Sequence, residues 1–64
     1  MDYYQYITRD PKICGGEPII RGTRVTIRTI LSSLAEGAHI EEILKDFPTL
    51  KAEDIHAVIA FAAA

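Results

Sequence analysis

The sequence predicts a mainly α fold: a short N-terminal β-strand and hairpin followed by a three-helix bundle. Three observations predict it. Turn-forming residues crowd into positions 1–26, apolar spacing becomes helical from Ile27 onward, and Gly37 and Pro48 divide that second stretch into three.

Tyr3 to Thr8 is aromatic and β-branched and reads as a short extended segment. Asp10-Pro11 and Gly15-Gly16 are turn signals. Pro18 to Ile27 reads as two short strands around Arg21-Gly22-Thr23, with Gly22 free to take a positive φ. Ile27, Ile30, Leu31, Leu34 and Ala35 then fall on one helical face. Thr26 can cap that helix, and Gly37 stands where a helix commonly ends in the left-handed conformation. A second, shorter helix covers Ile40, Ile43 and Leu44, with Glu41, Glu42 and Lys45 outward. Pro48 stops it, and Phe47 folds inward. The third helix runs from about Ala52 to Ala62, with Ile55, Val58, Ile59 and Ala62 as its core face. Three helices with a short middle one resemble a helix-turn-helix, which is a statement about architecture and not yet about DNA.

At 64 residues the chain is expected to be one domain, 1–26 forming the extended segment and hairpin and 27–64 the bundle. So short a chain buries a modest fraction of its surface and usually needs a disulfide, a metal or a partner. Cys14 is the lone cysteine, so no internal disulfide forms, and His39 and His56 show no metal-ligand spacing. Self-association is left, and a homodimer is expected. The start, Met-Asp-Tyr-Tyr-Gln-Tyr, has neither a basic nor an apolar run, so a cytoplasmic protein without signal peptide or membrane span is expected.

The net charge of -2 argues against strong unspecific nucleic-acid binding, but the charge is uneven. Residues 1–32 carry five Lys and Arg against three acids, and residues 33–64 carry two against six. The acids Glu41, Glu42, Asp46, Glu53 and Asp54 read as helix-dipole partners and solvated faces rather than catalytic carboxylates. No nucleophile–base arrangement can be argued, Gly15-Gly16 opens no helix as a phosphate loop would, and there is little room for a closed pocket. No enzyme, cofactor, metal or small-molecule substrate is expected. Cys14 reads as a small, semi-buried hydrophobe.

Arg21, Thr23, Arg24, Thr26 and Arg28 crowd the hairpin and the first helical turn, where arginines and hydroxyls can hold phosphates. The competing reading has one or two arginines pinning the hairpin to the acidic helices, Arg24 foremost. The third helix suits a DNA reader poorly. Only Lys51 and His56 can donate to phosphate or base edges, while Ala57, Ala60, Phe61, Ala63 and Ala64 make its other side apolar. Phe61 and Ala57, with Tyr3, Tyr4 and Tyr6, are therefore candidates for a dimer or partner interface.

The run from Ile7 to Val25, with Gly-Gly-x-Pro at 15–18 and Gly-Thr-Arg at 22–24, resembles the signature of the domain-of-unknown-function 433 family. Leu34-Ala35-Glu36-Gly37, Glu42 to Pro48, Glu53-Asp54-Ile55 and Ala60-Phe61-Ala62 agree with it, so the resemblance covers nearly the whole chain. It implies a bacterial or archaeal protein with a homeodomain-like helix-turn-helix fold, often encoded beside a PIN-like ribonuclease toxin. The role implied is that of an antitoxin that blocks the toxin and binds operator DNA.

The sequence departs from the family pattern in three places. His39 and Lys51 stand where Ser or Thr usually caps the second and third helices. One reading has both cations holding a phosphate at those helix ends, and the other is tolerated drift. The third departure is the Ala62-Ala63-Ala64 ending, where relatives commonly continue. Arg21, Thr23, Arg24, Arg28, His39, Lys51 and His56 are thus the nucleic-acid candidates. A DNA-binding, antitoxin-like regulator is the leading reading, with a protein-interaction module that binds no DNA as its alternative.

Overall fold

The computed structural model describes residues 2–64. Two short strands, β1 (Ile7–Thr8) and β2 (Ile19–Ile20), precede three helices, α1 (Ile27–Ala35), α2 (Ile40–Asp46) and α3 (Ala52–Ala63). The expected architecture, a small N-terminal sheet followed by three helices, is the one observed.

The sheet pairs differently from the expected hairpin. β1 and β2 are antiparallel partners, Ile7 facing Ile20 and Thr8 facing Ile19. The second arm of the hairpin survives only as a bridge between Ile19 and Thr26. The turn between the arms is present: Thr23 N–H donates to the Ile20 carbonyl at 3.0 Å across Gly22, whose φ is 81°. A type II turn needs a positive φ at that position, which glycine accepts without strain. Thr23 closes the turn a second time. Its hydroxyl donates to the Ile20 carbonyl at 2.7 Å and accepts from Val25 N–H at 3.0 Å.

Tyr3 to Thr8 is not one extended segment. Tyr3–Gln5 forms a 3-10 turn, because the Asp2 carboxylate caps it by accepting from Tyr4 N–H at 3.2 Å. Cys14–Gly16 forms another, through three consecutive positive φ values at Cys14, Gly15 and Gly16. Cys14 is exposed rather than semi-buried; the turn aims its thiol along the surface, where it donates to the Arg24 carbonyl at 3.3 Å.

The core is aliphatic. Ile7, Ile20, Ile27, Ile30, Ile43, Leu50, Ile55, Ala57 and Val58 form one buried cluster, with Phe47 and Phe61 packed against it. Each helix enters this core in the same way. Val25, Ala38 and Leu50 stand immediately before the caps Thr26, His39 and Lys51, and Ile30, Ile43 and Ile55 stand four positions after them. All six belong to the cluster or pack on it, which is the arrangement of a hydrophobic staple.

α3 presents a different face from the one its periodicity predicts. Ile55 and Val58 are buried, but Ile59 is 45 % exposed and Ala62 is exposed, while Ala57 is fully buried. The helix is turned toward Ala57 and Phe61. The cause is the Phe61 ring, which packs edge-on against Tyr3 with centroids 5.5 Å apart and planes at 87°. Covering a phenyl ring removes more apolar surface than covering Ile59 would.

Candidate interaction surface

The residues proposed for nucleic-acid contact are not equally free to meet a partner. Arg21 is spent on the fold: its Nη2 donates to the Tyr4 carbonyl at 2.8 Å and its Nε to the Gln5 carbonyl at 3.3 Å. A planar guanidinium suits two adjacent carbonyls, and here it ties the first 3-10 turn to the end of β2. Arg21, and not Arg24, is therefore the arginine that pins the N-terminal region, and it pins it to backbone rather than to the acidic helices. Arg28 pairs with Glu17 at 2.9 Å, with the two side chains 78 % and 39 % exposed. A pair so open to water contributes at most about 1 kcal/mol. Arg24 is exposed and forms no ion pair among the described residues. Thr23 is half-buried, and its hydroxyl is consumed by the turn.

These three arginines line three different clefts. Arg24 stands with Asp10 and Thr49 around a cleft of about 660 Å³. Arg28 borders one of about 510 Å³ along α1, and Arg21 one of about 290 Å³ beside β1. The clefts of Arg21 and Arg28 share Pro18 and Phe61, and those of Arg21 and Arg24 share Thr8.

His39 and Lys51 occupy the N-cap positions of α2 and α3, as expected, and neither side chain makes a cap hydrogen bond. Half of each capping box remains. Glu42 accepts from His39 N–H at 2.9 Å, and Asp54 accepts from Lys51 N–H at 2.8 Å. The missing half requires an acceptor side chain at the cap, which a lysine ammonium cannot provide. His39→Ser and Lys51→Ser should therefore each stabilise the fold by about 1 kcal/mol in urea unfolding. No gain from either would show that these helix ends need no further cap.

The outer side of α3 exposes Lys51, Glu53, His56, Ile59, Ala62 and Ala63. Its first turn carries Glu53 and Asp54. In a helix-turn-helix the N-terminal part of this helix meets the bases, and carboxylates there face a polyanion.

The candidate interface aromatics are largely used internally. Tyr3 and Tyr6 are half-buried and pack on the core, and Phe61 is half-buried under Tyr3. Ala57 is fully buried and cannot reach a partner. Only Tyr4, 67 % exposed, stands free, its ring tilted on Tyr3 at 4.7 Å. The Tyr4 hydroxyl beside it, then desolvation and the Asp2 carboxylate, hold the Tyr3 phenol above the usual tyrosine range. The sequence reading missed the exposure of Ile59, the burial of Leu50 and the carbonyl clamp of Arg21. Leu50 carried a signal, since an apolar residue just before a cap and another four after it mark a staple. The clamp carried none, because nothing local marks an arginine that bonds residues 16 and 17 positions away.

Among the described residues no helix is long and apolar enough to cross a membrane, and no group of three or more His, Cys, Asp or Glu is placed to hold a metal ion.

Comparison with known proteins agrees with the motif resemblance. Residues 7–62 match the family described as "Protein of unknown function (DUF433)". An uncharacterized protein of Sinorhizobium fredii (strain NBRC 101917 / NGR234), y4eO, is 38% identical over 60 residues, which cover 94% of this chain and 27% of that protein. The crystal structure of a DUF433 member protein from Anabaena variabilis ATCC 29413 superposes with a TM-score of 0.83 at 34% identity, covering 94% of this chain and 63% of that one. The chain thus spans about a quarter of the first relative and less than two thirds of the second. With the family pattern matched from β1 into the last turn of α3, the chain belongs to the DUF433 family of proteins of unknown function.

Proposed function

We propose that this chain is a non-enzymatic protein-binding module that serves as the antitoxin of a PIN-like ribonuclease, the partner its family resemblance implies. One observation carries the reading: the helix in the DNA-reading position has carboxylates in its first turn and exposes Ile59, Ala62 and Ala63 beyond it. An outer face that is acidic in its first turn and apolar at its C-terminal end suits a protein surface better than phosphates. A homodimer is the assembly proposed, because a core this small gains from burying a second copy's surface. The cytoplasm is the compartment proposed, since a ribonuclease partner would meet its RNA there.

A second reading, operator binding by the same module, is favoured by Arg9 and Arg24, which are exposed and without ion-pair partners among the described residues. The experiment adds the purified chain to a PIN-like ribonuclease from its own operon and follows RNA cleavage. Stoichiometric inhibition that persists in high salt is the expected result, because apolar contact is not screened. Unimpeded cleavage at excess chain would overturn the proposal.

A further inference from the structure

Two clefts meet at Pro18 and Phe61, and no residue of α2 lines either. The one along α1 is walled by Leu31 and Ala35, the one beside β1 by Ile7 and Tyr4, and Pro18 and Phe61 line both. The result is an apolar groove floored by a phenyl ring. Its charged lining is one-sided: Arg9, Arg21 and Arg28 against Glu17 alone. Arg28 and Glu17 pair with each other, which leaves as uncancelled charges Arg9, without an ion-pair partner among the described residues, and Arg21, held by neutral carbonyls.

The sheet adds a second feature at the β1 end. Arg21 N–H donates to the Tyr6 carbonyl, and Ile20 N–H turns the other way to Val25. With Ile7 opposite Ile20, this register makes the two a non-hydrogen-bonded pair, so the Ile7 amide and carbonyl face the outer edge of β1. The edge offers one amide and one carbonyl, both at a residue only 5 % exposed, so it can register an added strand while the neighbouring pockets, taking its side chains, carry most of the recognition.

Resting on the protein-binding reading above, we propose that this groove receives an extended, acidic segment of the protein partner. Its backbone pairs with the edge at Ile7, its apolar side chains sit on Pro18 and Phe61, and its carboxylates meet Arg9 and Arg21. Charge complementarity selects this occupant. A phosphate backbone has no apolar groups for the floor. A second copy of this chain carries its acidic clusters on the folded helices α2 and α3 and so offers no extended acidic segment.

The test uses the full chain and two fluorescein-labelled twelve-residue peptides, one alternating leucine with aspartate and glutamate, the other alternating leucine with lysine. Fluorescence anisotropy should show the acidic peptide binding at least tenfold more tightly. Its amide shift changes should map to Arg9, Ser32, Ala35 and Phe61. Ser32 is an exposed cleft residue and Arg9 an exposed cation, so Arg9→Glu with Ser32→Glu leaves the core intact and should weaken binding at least tenfold. Equal affinity for both peptides, unaltered binding by the double variant, or shifts confined to α2 and α3 would each overturn the proposal. So would displacement of the peptide by duplex DNA, or a concentration-dependent mass of the chain alone that the double variant abolishes. Ribonuclease inhibition separates the two claims: a double variant that still inhibits fully removes the groove and leaves the protein-binding reading standing, whereas peptide binding by a chain that inhibits no ribonuclease removes the antitoxin role.

Discussion

Replacing Ile55 with alanine should unfold most of the molecule. Ile55 is completely buried and belongs both to the single core cluster and to the staple that sets α3 against the α2–α3 turn. Truncating a buried isoleucine to alanine costs about 2–5 kcal/mol, the sum of lost transfer energy and the cavity left behind. A core of this size supplies only about 3–5 kcal/mol of net stability, so the loss is comparable to the whole. Far-UV circular dichroism during urea titration should show Ile55→Ala largely unfolded before denaturant is added. Ile59→Ala is the internal control. Ile59 is apolar and lies on the face that periodicity predicts, yet it is 45 % exposed, so its truncation should move the midpoint only slightly. Equal losses at the two positions would return α3 to the periodic face and remove Phe61 from the core.

Arg21→Ala should loosen the N-terminal turn without touching the helices. Two hydrogen bonds from one guanidinium, at 2.8 and 3.3 Å, hold the carbonyls of Tyr4 and Gln5. Charge-assisted bonds are worth more than neutral ones, but these are solvent-exposed, so the expected cost is about 1 kcal/mol. The local effect is larger than that figure conveys. Releasing Gln5 also frees Tyr3, whose ring covers Phe61. Aromatic proton shifts of Tyr3 and Phe61 should collapse toward free values in Arg21→Ala, while those of α2 stay in place. Arg21→Lys should restore little, because an ammonium lacks the planar fork that spans two carbonyls. Arg24→Ala, with no ion pair to lose, should leave stability unchanged. Intact ring shifts in Arg21→Ala would show that the turn stands without the clamp.

The helices were legible because each carries its own punctuation. Thr26 and the spacing from Ile27 define α1, Gly37 ends it, Pro48 ends α2, and the acids after Lys51 open α3. The sheet was half legible. Gly22 marks its turn locally, whereas the pairing of Ile7 with Ile20 joins residues far apart in the chain and leaves no local trace. The face of α3 was misread because alanine and isoleucine fill several sides of that helix, and the ring of Phe61, not the periodic stripe, chose the buried one. The basic cluster was legible only as a cluster. Closeness in sequence does not show which side chains the fold engages: Arg21 is held by the Tyr4 and Gln5 carbonyls and Arg28 by Glu17, which leaves Arg24 without an ion pair among the described residues. The cap positions of His39 and Lys51 were read correctly, since a cap is defined by its place before an amphipathic run.

The central claim is that the surface of this molecule is built for a protein and not for DNA. The measurement that tests it most directly is a titration of the purified chain with its own upstream DNA at about 50 mM and at about 150 mM salt, in the range where phosphate contacts are most salt-sensitive. The account predicts no sequence-specific binding at either concentration, and only weak association at low salt that Arg24→Ala does not change selectively. Specific binding that falls steeply with salt and is lost on Arg24→Ala would contradict it and make the tip of the β2 turn an operator-binding site.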